Sequence, residues 1–146
     1  MIKRNRHVTS KGFFRYSEFY KSAEYPRLVE DIPFDQSIIE SIFFWVDSAG
    51  DKFRQSHPKV RLCILSGVRS KELNERISGS LYSDHLSNHY SAVDIYSPDI
   101  NASSLFCQII DQGLPHRQLI WCPDKKFIHW SWNIPGKPFK QEVKII

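Results

Sequence analysis

The sequence predicts an α+β fold: a small antiparallel sheet with flanking helices, formed as a single domain. Between Phe34 and Phe53 the apolar residues Ile38, Ile39, Ile42, Trp45, Val46, Ala49 and Phe53 recur at spacings of three and four, the period of an amphipathic helix. Four short runs, RLCILS, SAVDIY, QLIW and FIHWSW, have strand length and strand composition. A chain of 146 residues suits one domain, and at this size roughly two-thirds of the unfolded surface can be buried without a disulfide framework.

In chain order, the polar and basic stretch to Gly12 reads as a solvated tail, and residues 13–146 as the domain. FFRYSEFYKS, with Ser17 ahead of Glu18 and Phe19, is expected as a short helix that docks its aromatic side chains. Pro33 and Asp35 mark the start of the long amphipathic helix, whose aromatic stripe is core. RLCILS (Arg61–Ser66) is apolar on both faces and reads as a central strand, ended by Gly67. KELNERI is a brief helix, and residues 78–88 are a polar loop. In SAVDIY, Ala92 and Asp94 share one strand face while Val93 and Ile95 share the other. Asn101 caps ASSLFCQIIDQ, which Gly113 closes. The turn-forming CPDKK joins QLIW to FIHWSW as an antiparallel hairpin. After Pro135 the chain is expected to form a loop and a weak edge strand.

Composition narrows the function classes. Cys63, Cys107 and Cys122 are three in number, far apart and without CxxC spacing, which argues for a reducing compartment and against a cysteine-rich zinc cluster. The formal net charge of +4 and pI near 9.0 point to an anionic partner, either nucleic acid or an acidic wall polymer. MIKRNRH begins like a signal peptide, but no apolar run follows, so no leader and no membrane span are expected.

The chemistry-bearing residues concentrate between Ser66 and Tyr96, where Arg69, Ser83, His85, His89 and Asp94 fall within one strand-loop-strand segment. FIHWSW adds His129. Each has a plain reading alone: His129 as a hydrogen-bonded core residue, His85 and His89 as solvated side chains, Asp94 as an ion-pair partner of Arg69. Asp94, set mid-strand between apolar neighbours, does require a partner. Two imidazoles and a carboxylate brought together on one small sheet are what a catalytic zinc site with an open fourth position needs.

In this order, the residues resemble the zinc D-alanyl-D-alanine carboxypeptidase and peptidoglycan endopeptidase family, which has the hedgehog/DD-peptidase fold, and in particular its phage-type branch. The family pattern runs SGYRSxxLN, SxHxxGxAxD, DQLIxE and WIHVS. This chain has SGVRSKELN from Ser66, SDHLSNHYSAVD from Ser83, QLIWC from Gln118 and FIHWS from Phe127, and FFRYSEF is similar to the family's FxxSEF opening.

Residue by residue, the resemblance implies His85, Asp94 and His129 as zinc ligands, with Arg69 and Ser83 binding substrate. A guanidinium suits a peptide carboxylate because it forms a two-pronged, charge-assisted hydrogen bond. The implied activity is metal-assisted hydrolysis of amide bonds in the stem peptide of peptidoglycan, of carboxypeptidase or endopeptidase type. Two departures stand out. Asn88 replaces the family's glycine and His89 with Tyr90 lengthens the spacing to Asp94, which makes His89 the alternative ligand; His85 keeps the continuous GSxxSxHL match. The places of the family's acidic base hold Cys122 and Lys126, which leaves Asp124 as the nearby carboxylate.

The partners implied are the stem peptide and, from the charge, an anionic wall polymer. A protein made in the cytoplasm without a leader reaches the wall through lysis, a holin-like partner or carriage in a virion. The loss of the acidic base supports an alternative, a catalytically silent wall-binding or virion structural module. Nucleic-acid binding rests on charge and exposed aromatics alone.

Overall fold

The computed structural model describes residues 4–10, 12–22, 32, 34, 36–77, 83–86, 90–133 and 141–146. In chain order these form a 3-10 turn (Tyr16–Phe19), helix α1 (Gln36–Trp45), a π-helical turn (Val46–Gly50) running into α2 (Asp51–Ser56), strand β1 (Cys63–Ser66), helix α3 (Lys71–Arg76), a second 3-10 turn (Asp84–Leu86), strand β2 (Tyr90–Tyr96), helix α4 (Ala102–Gln112), and strands β3 (Gln118–Trp121), β4 (Ile128–Asn133) and β5 (Glu142–Ile145). Pro33 and Asp35, read as helix-start signals, lie outside the described residues, as does His89.

The strands form one five-stranded sheet in the order β1-β2-β4-β3-β5, so the architecture is α+β. β1/β2, β2/β4 and β3/β4 pair antiparallel, the last as the expected hairpin. β5 is an edge strand, as the sequence suggests, but it runs parallel to β3 and makes the sheet mixed. The reason is positional. β4 ends level with the start of β3, so a chain continuing onto the free side of β3 begins at that same end.

The placement of β1 corrects the sequence reading: RLCILS lies at an edge rather than the centre, and Leu65 is 40% exposed. An unbroken apolar run does not distinguish an inner strand from an edge strand covered by another segment. Here the cover is the first 3-10 turn. Val68 N donates to Phe19 O at 2.8 Å, and Gly67 sits so close that a Cβ on it would overlap the Phe19 carbonyl.

One sheet face buries Val93, Ile95, Leu119, Ile128, Trp130 and Trp132 against the long helix. The periodic positions Ile39, Ile42, Trp45, Val46, Ala49 and Phe53 are all buried, as their spacing requires. Trp45 meets Trp130 edge-on at 5.2 Å and stacks on Trp132 at 5.5 Å, arrangements favoured by the ring quadrupoles. α4 follows its capping signals: Asn101 Oδ1 accepts from Ser104 N at 2.9 Å, and Gly113 ends the helix at φ 68°.

The basic N-terminal stretch is held against the body over residues 4–10. Val8 is buried and its N–H donates to Phe14 O, while the Arg4 guanidinium lies over the Tyr20 ring at 4.4 Å. No helix among the described residues is long and apolar enough to cross a membrane.

Candidate metal centre

The sheet face opposite the tryptophans carries the site. Alternation along the strands sends Val93 and Trp130 to the core and their neighbours Asp94 and His129, paired across β2 and β4, to the other side. Ile120 of β3 lies next across from His129. His85 arrives from the second 3-10 turn, which is anchored twice: Arg69 N donates to His85 O at 2.9 Å, and Asp84 forms a buried ion pair with Arg117, just ahead of β3, at 3.1 Å.

These elements bring one nitrogen each from His85 and His129 and one oxygen of Asp94 within 4.8 Å of one another. His85 Nε2 lies 3.2 Å and His129 Nδ1 3.1 Å from the same oxygen, Asp94 Oδ1. The second Asp94 oxygen faces Arg69 at 3.4 Å. His85 and Asp94 are buried, and His129 is partly open to a cleft of about 750 Å³.

The protons do not satisfy this arrangement. His85 Nδ1 is 2.7 Å from Gly67 O, a carbonyl that can only accept, so Nδ1 carries the hydrogen. A neutral His85 then turns a bare Nε2 lone pair toward the Asp94 carboxylate, a repulsive contact unless a cation or a second proton lies between them. Burial opposes the second proton: it lowers the His85 pKa below the ordinary histidine value, against the attraction of Asp94. Burial also works to raise the Asp94 pKa, but the neighbouring His85 and His129 hold it well below the usual carboxylate range. An ionised carboxylate and two imidazoles around a buried point therefore fit a divalent cation. Two nitrogens and one oxygen with a cleft alongside match zinc with positions left for water and substrate.

The remaining predicted residues are placed as follows. Arg69 lines the cleft, largely buried, near Ser66 Oγ at 3.3 Å and Asn74 Oδ1 at 3.4 Å; burial lowers its pKa, with Asp94 opposing. Ser83 also lines the cleft, and its Oγ accepts from His85 N at 3.3 Å. Asp124 is not brought to the cluster: it is exposed on the β3–β4 turn and is absent from the cleft wall. Cys122 and Lys125 occupy that wall instead, and Lys126 is exposed beyond it. Among the described residues lining the cleft, Asp94 is the one carboxylate side chain.

Two contributors escaped the sequence reading. Gly67 was read as a strand end, yet its carbonyl orients His85. Gln118 was read as the first residue of a strand, yet its Oε1 lies 3.2 Å from His129 Nε2. Position gives a signal for Gln118, since it lies two residues before Ile120 and so shares the site face. It also matches the glutamine of the DQLIxE pattern.

The sequence model of the family described as Peptidase M15 matches residues 28–131, a span that contains His85, Asp94 and His129 and ends before β5. No curated protein matches the chain.

Proposed function

The chain belongs to the Peptidase M15 family, and from that premise we propose that it is a zinc-dependent, phage-associated hydrolase of amide bonds in peptidoglycan stem peptides, of carboxypeptidase or endopeptidase type. The observation that carries this reading is the convergence of His85 Nε2 and His129 Nδ1 on one Asp94 oxygen beside an open cleft. In the proposal these three side chains hold the ion. Zinc bound there supplies Lewis acidity toward a peptide carbonyl and toward water.

The chain's own residues do the rest. The Gly67 carbonyl keeps the His85 imidazole aimed at the ion's position, which spares reorganisation during reaction. Arg69, facing both Asp94 and the cleft, grips a substrate carboxylate, and Ser83 hydrogen-bonds the peptide beside it. Ile120 and Phe127 give the opposite wall an apolar surface that keeps bulk water from the scissile bond. Asp124 is the proton carrier of this reading; to act, it must swing in from the exposed turn.

That distance favours a second reading, a wall-binding or virion structural module that retains the ion and lacks turnover. Its specific support is that Cys122 and Lys126 hold the places of the family's acidic base, and that the cleft wall on this side presents Cys122 and Lys125 rather than a carboxylate. Incubating zinc-loaded protein with purified muropeptides separates the two. Hydrolysis exposes new amine ends and shifts masses by one water, whereas saturable binding with no new amine ends selects the silent module. Neither binding nor cleavage contradicts both.

A further inference from the structure

β5 lies beyond the residues matched to the family, yet its Glu142 touches Gln118, the side chain behind His129. We propose that Glu142 and Gln118 form a positioning relay that fixes which nitrogen of His129 faces the ion, making β5 a functional part of the site. The proposal rests on the reading of His85, Asp94 and His129 as the ligand set.

Gln118 and Glu142 are register partners across the parallel β3/β5 pair. Gln118 Nε2 donates to Glu142 Oε1 at 2.8 Å. An ionised carboxylate only accepts, so the amide is held with its NH₂ toward β5 and its oxygen toward β4. That oxygen, Gln118 Oε1, is 3.2 Å from His129 Nε2 and can only accept from it. With a cation between His129 Nδ1 and Asp94 Oδ1, His129 is thereby kept with its hydrogen on Nε2 and its lone pair on Nδ1.

The backbone secures the same geometry. Gln118 N donates to Ser131 Oγ at 3.0 Å and Glu142 N to Arg117 O, so both ends of the relay are tied to the sheet. Lys144 holds the Glu142 carboxylate from the solvent side at 3.2 Å. His85 obtains the equivalent service from the Gly67 carbonyl. The two imidazoles thus present opposite ring nitrogens, Nε2 from His85 and Nδ1 from His129, each because its other nitrogen is engaged by an acceptor.

The test measures zinc affinity of the full chain by competition with a chromophoric chelator, with nitrogen NMR of the histidine rings as a second readout. Gln118→Met removes the acceptor at similar volume and is expected to weaken zinc binding by about 10–100-fold, the usual loss for a partner behind a metal ligand. In the zinc-loaded variant, the His129 Nε2–H should lose the NMR signature of a hydrogen-bonded proton. Glu142→Leu, on an exposed edge where folding is not at risk, should weaken zinc binding several-fold through the freed amide. Glu142→Gln keeps an acceptor and should bind zinc as the unaltered chain does.

Unchanged affinity and an unchanged Nε2–H signal in both zinc-loaded Gln118→Met and Glu142→Leu overturn the relay. If Gln118→Met does not fold, unchanged affinity and Nε2–H signal in Glu142→Leu alone overturn it. His129→Ala separates the underlying reading: should that variant still bind stoichiometric zinc, the ligand set fails, whatever Gln118 does.

Discussion

The two walls of the cleft are built differently. On the strand side, Asp94 and His129 are directly paired across β2 and β4, over a fully buried tryptophan layer, and His85 is locked by the Gly67 carbonyl. On the turn side, residues 123–126 are exposed, and the cleft wall is formed by Cys122, Lys125 and Phe127. In the proposed function, the ion's ligands Asp94 and His129 therefore stand on paired strands over a packed core, whereas the proton carrier stands on an exposed surface turn, so the two tasks fall to separate parts of the site.

The largest expected effect lies on the strand side. Asp94→Ala should abolish stoichiometric zinc, because the two imidazoles alone lose the charged ligand between them; full metal content by elemental analysis would erase the contrast between the walls. On the turn side, Asp124→Asn should leave zinc content intact. If Asp124 carries the proton, muropeptide turnover should fall by about 10²–10⁴-fold, the usual contribution of a general base. Turnover equal to the unaltered chain removes Asp124 from the mechanism.

Smaller effects sharpen the same comparison. Trp130→Ala removes the buried ring behind His129 and should cost about 3–5 kcal/mol of stability, read as a lowered melting temperature; a loss no greater than that of a surface substitution would show that the strand side is not braced by its core. Acidification should also act on the strand side. The buried His85 has a folded pKa below its ordinary value of 6.5, so the unfolded chain binds more protons in the interval between the two. Stability from His85 is then complete above pH 6.5 and is lost as pH falls through the lowered folded value. Zinc affinity of the folded chain should fall only once pH drops through that lowered folded value, where protons begin to compete for the His85 imidazole. A chelator titration showing affinity constant as pH falls through and below that value would contradict the assignment. The smallest effect belongs to exposed Lys126: Lys126→Ala should change neither zinc content nor melting temperature.

Much of the strand side was legible in the sequence because local rules and tertiary structure agree there. Alternation in SAVDIY separated Asp94 from Val93 and Ile95, CPDKK marked the hairpin that carries His129, and Asn101 with Gly113 bounded α4. Other features depended on contacts between distant segments. RLCILS lies at an edge because the Tyr16–Phe19 turn covers it, and a one-dimensional pattern does not show that cover. In the stretch 4–10, Val8 is held by Phe14 and Arg4 by Tyr20 and Ile32, a docking that charge does not report. Gln118 acquires its part only when β5 returns alongside β3, with 24 residues separating it from Glu142. Asp124 was singled out by nearness along the chain to His129, and chain proximity across a turn does not fix which way a side chain faces.

In the proposed site one cation is held by His85 Nε2, Asp94 Oδ1 and His129 Nδ1. Anomalous diffraction at the zinc edge from crystals of the zinc-loaded protein locates that ion. A single peak is expected about 2.0–2.2 Å from these three atoms with its remaining coordination open to the cleft. A peak coordinated by His89 with His85 turned away, or one enclosed on every side by protein, would contradict it.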